Sequence, residues 1–224
     1  MCERFGNRIL YNMCEENLKH DDKDIVEGKI WLIGRSYSAS PERRQGKSNK
    51  KNTSYNKQSD FLQEISKTIA DDPDARKLDK EIESMRSTRY NFADNLKQDL
   101  TIIRKTIELV QLLNGIVKKA SNKYNSDSKR KAENNVSFAS KYLHFHLRDI
   151  VYLYDSISRE NTQNHININY KDNDFKTFVN SFEDIYKVYT KHTLRCHCIA
   201  IELMKKGKDY SPRAVDDLLL GYKI

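Results

Sequence analysis

Hydrophobic residues recur at three- and four-residue intervals along much of the chain, which is the spacing of an amphipathic helix. The clearest case predicts a helix from about Asp94 to Ser121. Its apolar face consists of Leu96, Leu100, Ile103, Ile107, Val110 and Val117. A shorter apolar stripe predicts a helix over 60–71 that ends before Pro73, because proline disrupts a helix interior. That stripe consists of Phe61, Leu62, Ile65 and Ile69.

Both ends of the chain also carry helical patterns. The opening stretch, as far as Tyr37, has enough bulky residues for one or two core helices. A long helix is predicted over Phe175–Leu203, bent near Thr193. The stretch SPRAVDDLLLGY predicts a short closing helix with Ser211 as N-cap and Pro212 at its first position.

The middle of the chain alternates between helical and irregular patterns. Ser137 is the predicted N-cap of a helix through SFASKYLHFH, and the apolar stretch RDIVYLYD after it predicts a non-helical connection. Asp155 is the predicted N-cap of the next helix, because its carboxylate can accept hydrogen bonds from the first-turn amides. Two polar, basic stretches, 42–57 and 121–135, have little to bury and predict mobile loops.

These patterns predict an all-α protein, a compact multi-helix bundle that forms a single domain over 1–224 and leaves room for two lobes with a cleft between them. Only 7 Gly and 3 Pro occur in 224 residues, which argues against a sandwich or barrel rich in tight turns. The four cysteines show no disulfide framework. No apolar run reaches the roughly 18 residues that span a bilayer, and the N-terminus lacks a secretory pattern. We therefore expect a cytoplasmic protein.

The charge balance points to an acidic partner. Forty Lys and Arg against 32 Asp and Glu give a formal net charge of +8, and the resulting field attracts polyanions such as nucleic acid. A lysine-rich surface that binds nothing acidic is the alternative. Basic residues of the two loops are the predicted phosphate contacts. They include Arg43, Arg44, Lys129, Arg130 and Lys131.

The stretch SFASKYLHFHLRDIVYLYDSISR carries the strongest candidate chemistry. It presents Lys141 early in a helix, then an apolar helix body, an apolar connection, and Asp155 at the start of the next helix. This order resembles the helix-hairpin-helix superfamily of DNA glycosylases, and the stretch YDSISR matches the segment that supplies the catalytic aspartate there. The hairpin glycines of that superfamily are absent here, and so is the cysteine cluster of its iron–sulfur members.

The resemblance implies a bundle of DNA-glycosylase type that binds double-stranded DNA, flips out a damaged or modified base and cleaves its N-glycosidic bond. It implies that Asp155 stabilises positive charge on the sugar and that Lys141 is the Schiff-base nucleophile of the bifunctional members. If Lys141 faced solvent, the enzyme would be monofunctional, with Asp155 positioning water. We expect a monomer that needs no cofactor or metal ion, with antiviral defence against modified phage DNA as its suggested context.

Aromatic residues surround the proposed catalytic pair. Flat side chains can stack on a flipped base, and they can equally pack into a core when they recur at helical spacing. The candidates for base binding are Tyr142, Phe145, Tyr152 and Tyr154. Arg159 is the candidate for holding Asp155 or a phosphate.

Two other functions compete with the glycosylase. The spacing of Arg159 and His165 is similar to that of HEPN-type ribonucleases, all-α proteins in which the histidine is a general acid or base and the arginine holds the phosphate. The sequence NHININY, however, predicts a loop at His165 rather than the helix end that this arrangement requires. A non-catalytic, helical nucleic-acid-binding protein is the third hypothesis.

The remaining titratable motifs predict structural roles. His192 and Cys196 share a helix face, but with Cys198 they supply only three ligands, so buried thiols are the interpretation. His144 and His146 lie on different sides of a helix, so at most one lines a pocket. Arg213 and Asp216 predict a charge pair at a helix start, with a phosphate or substrate contact left open.

Overall fold

The computed structural model describes residues 5–37, 39, 54–87, 96–124, 134–166 and 173–222. Over these residues the chain forms ten helices and no strand, which confirms the all-α prediction. The helices are α1 (Phe5–Glu16), α2 (Lys23–Tyr37), α3 (Ser54–Asp71), α4 (Pro73–Ser87), α5 (Leu100–Tyr124), α6 (Val136–His146), α7 (Ser156–His165), α8 (Asn173–Asn180), α9 (Asp184–Lys205) and α10 (Pro212–Leu219). None of these helices is long and apolar enough to cross a membrane.

Helix α5 lies at the centre of the bundle. It contacts α3, α4, α6 and α9, and the buried face of the helix includes the predicted residues Ile103, Ile107, Val110 and Val117. The main cluster of buried apolar residues draws on α1 to α6, α8 and α9. A smaller cluster joins Tyr152 to the facing sides of α9 and α10. The α6–α7 connection therefore runs between two parts of the core.

Several predicted helix ends are confirmed by their capping geometry. Asp155 is the N-cap of α7, where its side chain and that of Ser158 form a capping box. Ser211 is the N-cap of α10, with its side chain accepting a hydrogen bond from the amide of Ala214 and Pro212 following it. The predicted break at Pro73 is also present, but Pro73 itself opens α4, a helix that the sequence pattern did not predict.

The predicted loop boundaries need correction. Helix α3 already begins at Ser54, and α5 continues to Tyr124, so both predicted loops are partly helical. The extension of α5 follows from burial, because Ser121 is buried and its hydroxyl donates to the carbonyl oxygen of Val117. Asn134 and Asn135 are described and non-helical, and the rest of both loops lies outside the described residues. With it lie the predicted DNA contacts Arg43, Arg44, Lys129, Arg130 and Lys131.

Two further local predictions are wrong. The predicted helix over Phe175–Leu203 is interrupted at Ser181–Glu183 rather than bent near Thr193, which lies inside α9. The Ser181 hydroxyl donates to the carbonyl oxygen of Phe178, which closes α8. The N-cap of α6 is Asn135, whereas the Ser137 hydroxyl donates to the carbonyl oxygen of Tyr154.

Candidate active site

The α6–α7 connection brings the two predicted catalytic residues into contact. Lys141 lies on the second turn of α6, rather than the first, and its side chain is only 4% exposed. The Lys141 Nζ is 3.4 Å from Asp155 Oδ2. It also donates to the backbone carbonyl oxygen of Tyr37, at 3.2 Å, where α2 ends. Lys141 is thus a buried ammonium group with two oxygen partners, not a solvated helix residue.

Asp155 uses its two carboxylate oxygens differently. Its Oδ1 accepts a 2.8 Å hydrogen bond from the backbone N–H of Ser158, which caps α7, while Oδ2 faces Lys141. Burial alone would raise the pKa of Asp155, but the Ser158 hydrogen bond and the Lys141 charge outweigh it and lower that pKa below 3.8. The side chain is 33% exposed. The helix cap therefore orients an ionised carboxylate that is open to solvent on one side.

Helix α10 adds a second set of charges next to this pair. The Arg213 guanidinium contacts Asp216 Oδ2 at 3.2 Å and Asp217 Oδ1 at 2.8 Å. Burial raises the pKa of Asp216 to about 6, against the opposing charge of Arg213, and the negative charge of Asp155 raises it further. The predicted Arg213–Asp216 pair is confirmed. We call Lys141, Asp155, Arg213, Asp216 and Asp217 the charge cluster.

The charge cluster balances when one carboxyl group holds a proton. It contains two cationic side chains and three carboxyl groups, and its side chains apart from Asp155 and Arg213 are less than a tenth exposed. Buried charges are stable only when they are paired. The raised pKa of Asp216 identifies it as the group that takes up the proton. The cluster thus places a carboxyl group that takes up a proton near pH 6 close to one that stays ionised.

Three of the four predicted base-binding aromatic residues belong to the core. Tyr142, Phe145 and Tyr152 are at most 2% exposed, so their faces are covered by protein. Tyr142 packs against Phe138, and Tyr152 bonds to His197 through its hydroxyl. This packing does not support their predicted contact with a base. It agrees with the alternative prediction that these side chains form part of the core. Tyr154 is partly buried, and its ring packs edge-on against α9.

Arg159 and His165 both lie exposed on α7. The predicted loop at His165 is wrong, since His165 is the last residue of that helix. Residues six positions apart on a helix are separated by roughly 120° around the axis and by about 9 Å along it. The two side chains therefore leave different sides of α7, but the helix end that the HEPN-type arrangement requires is present at His165, and this hypothesis stays a competing prediction.

The candidate metal ligands are occupied by other contacts. His192 Nε2 lies 2.8 Å from the carbonyl oxygen of Leu153. Cys196 is buried, and burial raises the pKa of its thiol well above 9.0. Within the described part of the chain, no group of three or more His, Cys, Asp or Glu residues could hold a metal ion. His144 and His146 are both buried in the core.

Comparisons with known proteins add no family to this description. No protein-family model, no curated protein and no solved structure matches the chain. The resemblance to helix-hairpin-helix glycosylases rests on the 137–159 stretch alone. The glycine hairpin of that superfamily would occupy NNVSFAS, directly before Lys141, and in the structure this stretch has no glycine and is helical from Val136 onward.

Residue spacing did not predict that α10 would lie beside Lys141 and Asp155. Arg213 and its two aspartates lie far along the chain from Lys141 and Asp155. A single sequence does not show that two such distant segments lie close together in the fold. The local signal was limited to the spacing in PRAVDD, where acidic residues three and four positions after Arg213 can reach its guanidinium. Asp217, four positions after Arg213, was not predicted, although this spacing allows the contact.

Proposed function

We propose that this protein hydrolyses N-glycosidic bonds in double-stranded DNA and that the charge cluster is its catalytic centre. One observation carries the proposal: the cluster holds two carboxyl groups whose pKa values are shifted in opposite directions, down for Asp155 and up to about 6 for Asp216. Such a pair provides an ionised carboxylate and a separate proton donor in one site. Cleavage of a glycosidic bond uses both.

The two carboxyl groups take complementary roles in the reaction. Asp216 donates its proton to the leaving base as the bond between the base and sugar C1′ breaks. Asp155 stabilises the positive charge that develops on the sugar and orients a water molecule towards C1′. The water adds its hydroxyl group to C1′, and its remaining proton passes to the cluster. The products are a free base and an abasic site.

Lys141 supports a hydrolytic rather than a Schiff-base route. A nucleophilic lysine must direct its Nζ at sugar C1′, whereas Lys141 Nζ lies against Asp155 Oδ2 and the carbonyl oxygen of Tyr37. We propose that Lys141 holds Asp155 in place and that the enzyme is monofunctional. The net charge of +8 supports binding to the DNA backbone.

The proposed setting follows the same reasoning. The described cysteines are free thiols, which suits a reducing compartment, and we propose a cytoplasmic monomer. Removal of modified bases from invading phage DNA is the physiological role that we propose for this activity.

The test is an assay for base release. The protein is incubated with duplex DNA containing a panel of modified bases, with unmodified duplex and with RNA, and abasic sites are revealed by alkali. We expect alkali-labile sites in at least one modified duplex and no covalent complex after borohydride treatment. Asp149→Asn is the matched control, since the Asp149 side chain is 80% exposed, and it should retain full activity.

Other outcomes identify the rival functions. Strand breaks confined to RNA would favour the ribonuclease hypothesis. DNA binding without base release across the panel would favour a non-catalytic module. A borohydride-trapped complex that disappears in Lys141→Ala would restore the Schiff-base role of Lys141. The Asp155→Asn/Asp216→Asn double variant is the inactive reference for base release.

A further inference from the structure

The segment Val151–Tyr154, which leads directly into Asp155, is held by buried side chains. It is neither helix nor strand, so its carbonyl groups need hydrogen-bond partners from elsewhere. His144 Nδ1 lies 2.8 Å from the carbonyl oxygen of Val151, and His192 Nε2 lies 2.8 Å from that of Leu153. The neighbouring contacts are Ser137 Oγ to Tyr154 O at 2.8 Å and His197 Nδ1 to the Tyr152 hydroxyl at 3.0 Å.

These contacts link the segment to Lys141 itself. Ser137, Lys141 and His144 are spaced four and three residues apart on α6, which places them on one face of that helix. The face that presents the Lys141 ammonium group therefore also holds the segment that ends at Asp155. Helix α9 holds the same segment from a second element through His192.

We propose that His144 and His192 are positioning residues that set the separation between Lys141 and Asp155 by fixing the segment before Asp155. The catalytic consequence rests on the proposed function, whereas the geometric consequence does not. Both rings are fully buried, so neither contacts substrate in this structure.

The direction of each hydrogen bond is fixed by chemistry. A carbonyl oxygen only accepts, so His144 must carry its proton on Nδ1 and His192 must carry its proton on Nε2. His144 Nε2 is then free of a proton and accepts from the Tyr11 hydroxyl at 2.7 Å. The two histidines thus donate through opposite ring nitrogens. An asparagine amide nitrogen replaces Nδ1, and a glutamine amide nitrogen, one carbon further out, replaces Nε2.

The experiment exploits this difference with four single variants. His144→Asn and His192→Gln keep the donor at the required position, whereas His144→Gln and His192→Asn misplace it. The first readout is NMR titration of the Asp155 carboxyl carbon, which needs no activity. We expect His144→Gln and His192→Asn to raise the Asp155 titration midpoint by about one pH unit, because the contact of Asp155 with Lys141 weakens. In His144→Asn and His192→Gln the Asp155 midpoint should stay close to that of the wild type.

The second readout is the rate of base release. A catalytic group displaced by about 1 Å can reduce the rate by up to about a hundredfold. We therefore expect a roughly tenfold or larger fall in kcat for the misplaced variants, with KM unchanged. Because both members of each pair substitute the same buried ring, a purely structural role would affect them alike.

The outcomes separate this inference from the proposed function. Equal Asp155 midpoints in all four variants would overturn the positioning role. If the misplaced variants do not fold, Ser137→Ala provides the same test, since it removes one bond to the segment from the Lys141 face. It should raise the Asp155 midpoint, and an unchanged midpoint there would likewise overturn the inference. Absence of base release by the wild-type protein would refute the proposed function and leave the titration result standing.

Discussion

Replacing Asp216 by asparagine should slow base release by about 10² to 10⁴-fold, because an amide cannot supply the proton that the leaving base requires. Burial raises the pKa of Asp216 to about 6, so the wild-type rate should be steady below pH 6 and fall about tenfold per pH unit above it. In Asp216→Asn this limb should vanish. Initial rates of base release between pH 5 and pH 8 measure both effects.

Asp217→Asn is the matched variant for this experiment. Asp217 is the next residue of α10, bonds the same guanidinium as Asp216, and has a similar side-chain exposure of 9% against 7%. Its substitution perturbs Arg213 without removing the proposed proton donor. We expect Asp217→Asn to keep the decline in rate above pH 6, whatever its absolute rate. A wild-type pH profile in Asp216→Asn would exclude Asp216 as the acid.

Asp155→Asn should cause a comparable loss for a different reason. The amide keeps an oxygen that can cap α7 but removes the negative charge that stabilises the sugar cation. The decline should persist in this variant at a lower rate, because Asp216 still titrates, but it should begin below pH 6, since the Asp155 charge no longer raises the pKa of Asp216. Asp216→Asn should thus lose both the rate and its pH dependence, whereas Asp155→Asn should lose the rate but keep a pH dependence.

Local signals predicted the parts of this structure that depend on neighbours in sequence. The Asp155 cap of α7 and the Ser211 cap of α10 follow from short polar side chains before helical stretches. The interruption between α8 and α9 escaped prediction because Phe178 before it, Phe182 within it and Tyr186 after it are all buried. The apolar spacing therefore continues although the helix does not.

The candidate site depended on contacts that sequence spacing does not encode. The resemblance placed Lys141 and Asp155 in one site, but it did not indicate that Lys141 would be buried against the end of α2. The histidines on α6 and α9 look like ordinary core residues in the sequence. Their role emerges only when an irregular segment between the helices leaves carbonyl groups that need donors.

Acidification should destabilise the protein far more strongly than a typical helical bundle, because five of its six histidines are buried. Burial lowers the pKa of His144 and of His192 from 6.5 to about 4. Burial also lowers the pKa values of His20, His146 and His197. Between pH 6.5 and pH 4 the unfolded chain therefore binds more protons than the folded one, and stability falls as pH falls.

The expected loss in the free energy of unfolding is a large part of the stability of a typical domain. A pKa lowered from 6.5 to about 4 corresponds to roughly 3 kcal/mol for each of His144 and His192. Asp216 opposes this trend, because its raised pKa makes the folded state gain protons first as the pH falls from about 6. The histidines outnumber it, so we expect a net loss of several kcal/mol out of the usual 5–15 kcal/mol.

Urea unfolding at pH 7 and at pH 4.5 measures this loss directly. His192→Gln removes one titrating ring while keeping a donor for Leu153, so it should reduce the difference between the two pH values by roughly 2 kcal/mol. His165→Ala, at the exposed end of α7, should leave the difference unchanged. If the free energy of unfolding is the same at both pH values, the buried histidines are not neutral donors. In that case burial does not keep these rings neutral below pH 6.5, although each ring would still donate to its carbonyl oxygen.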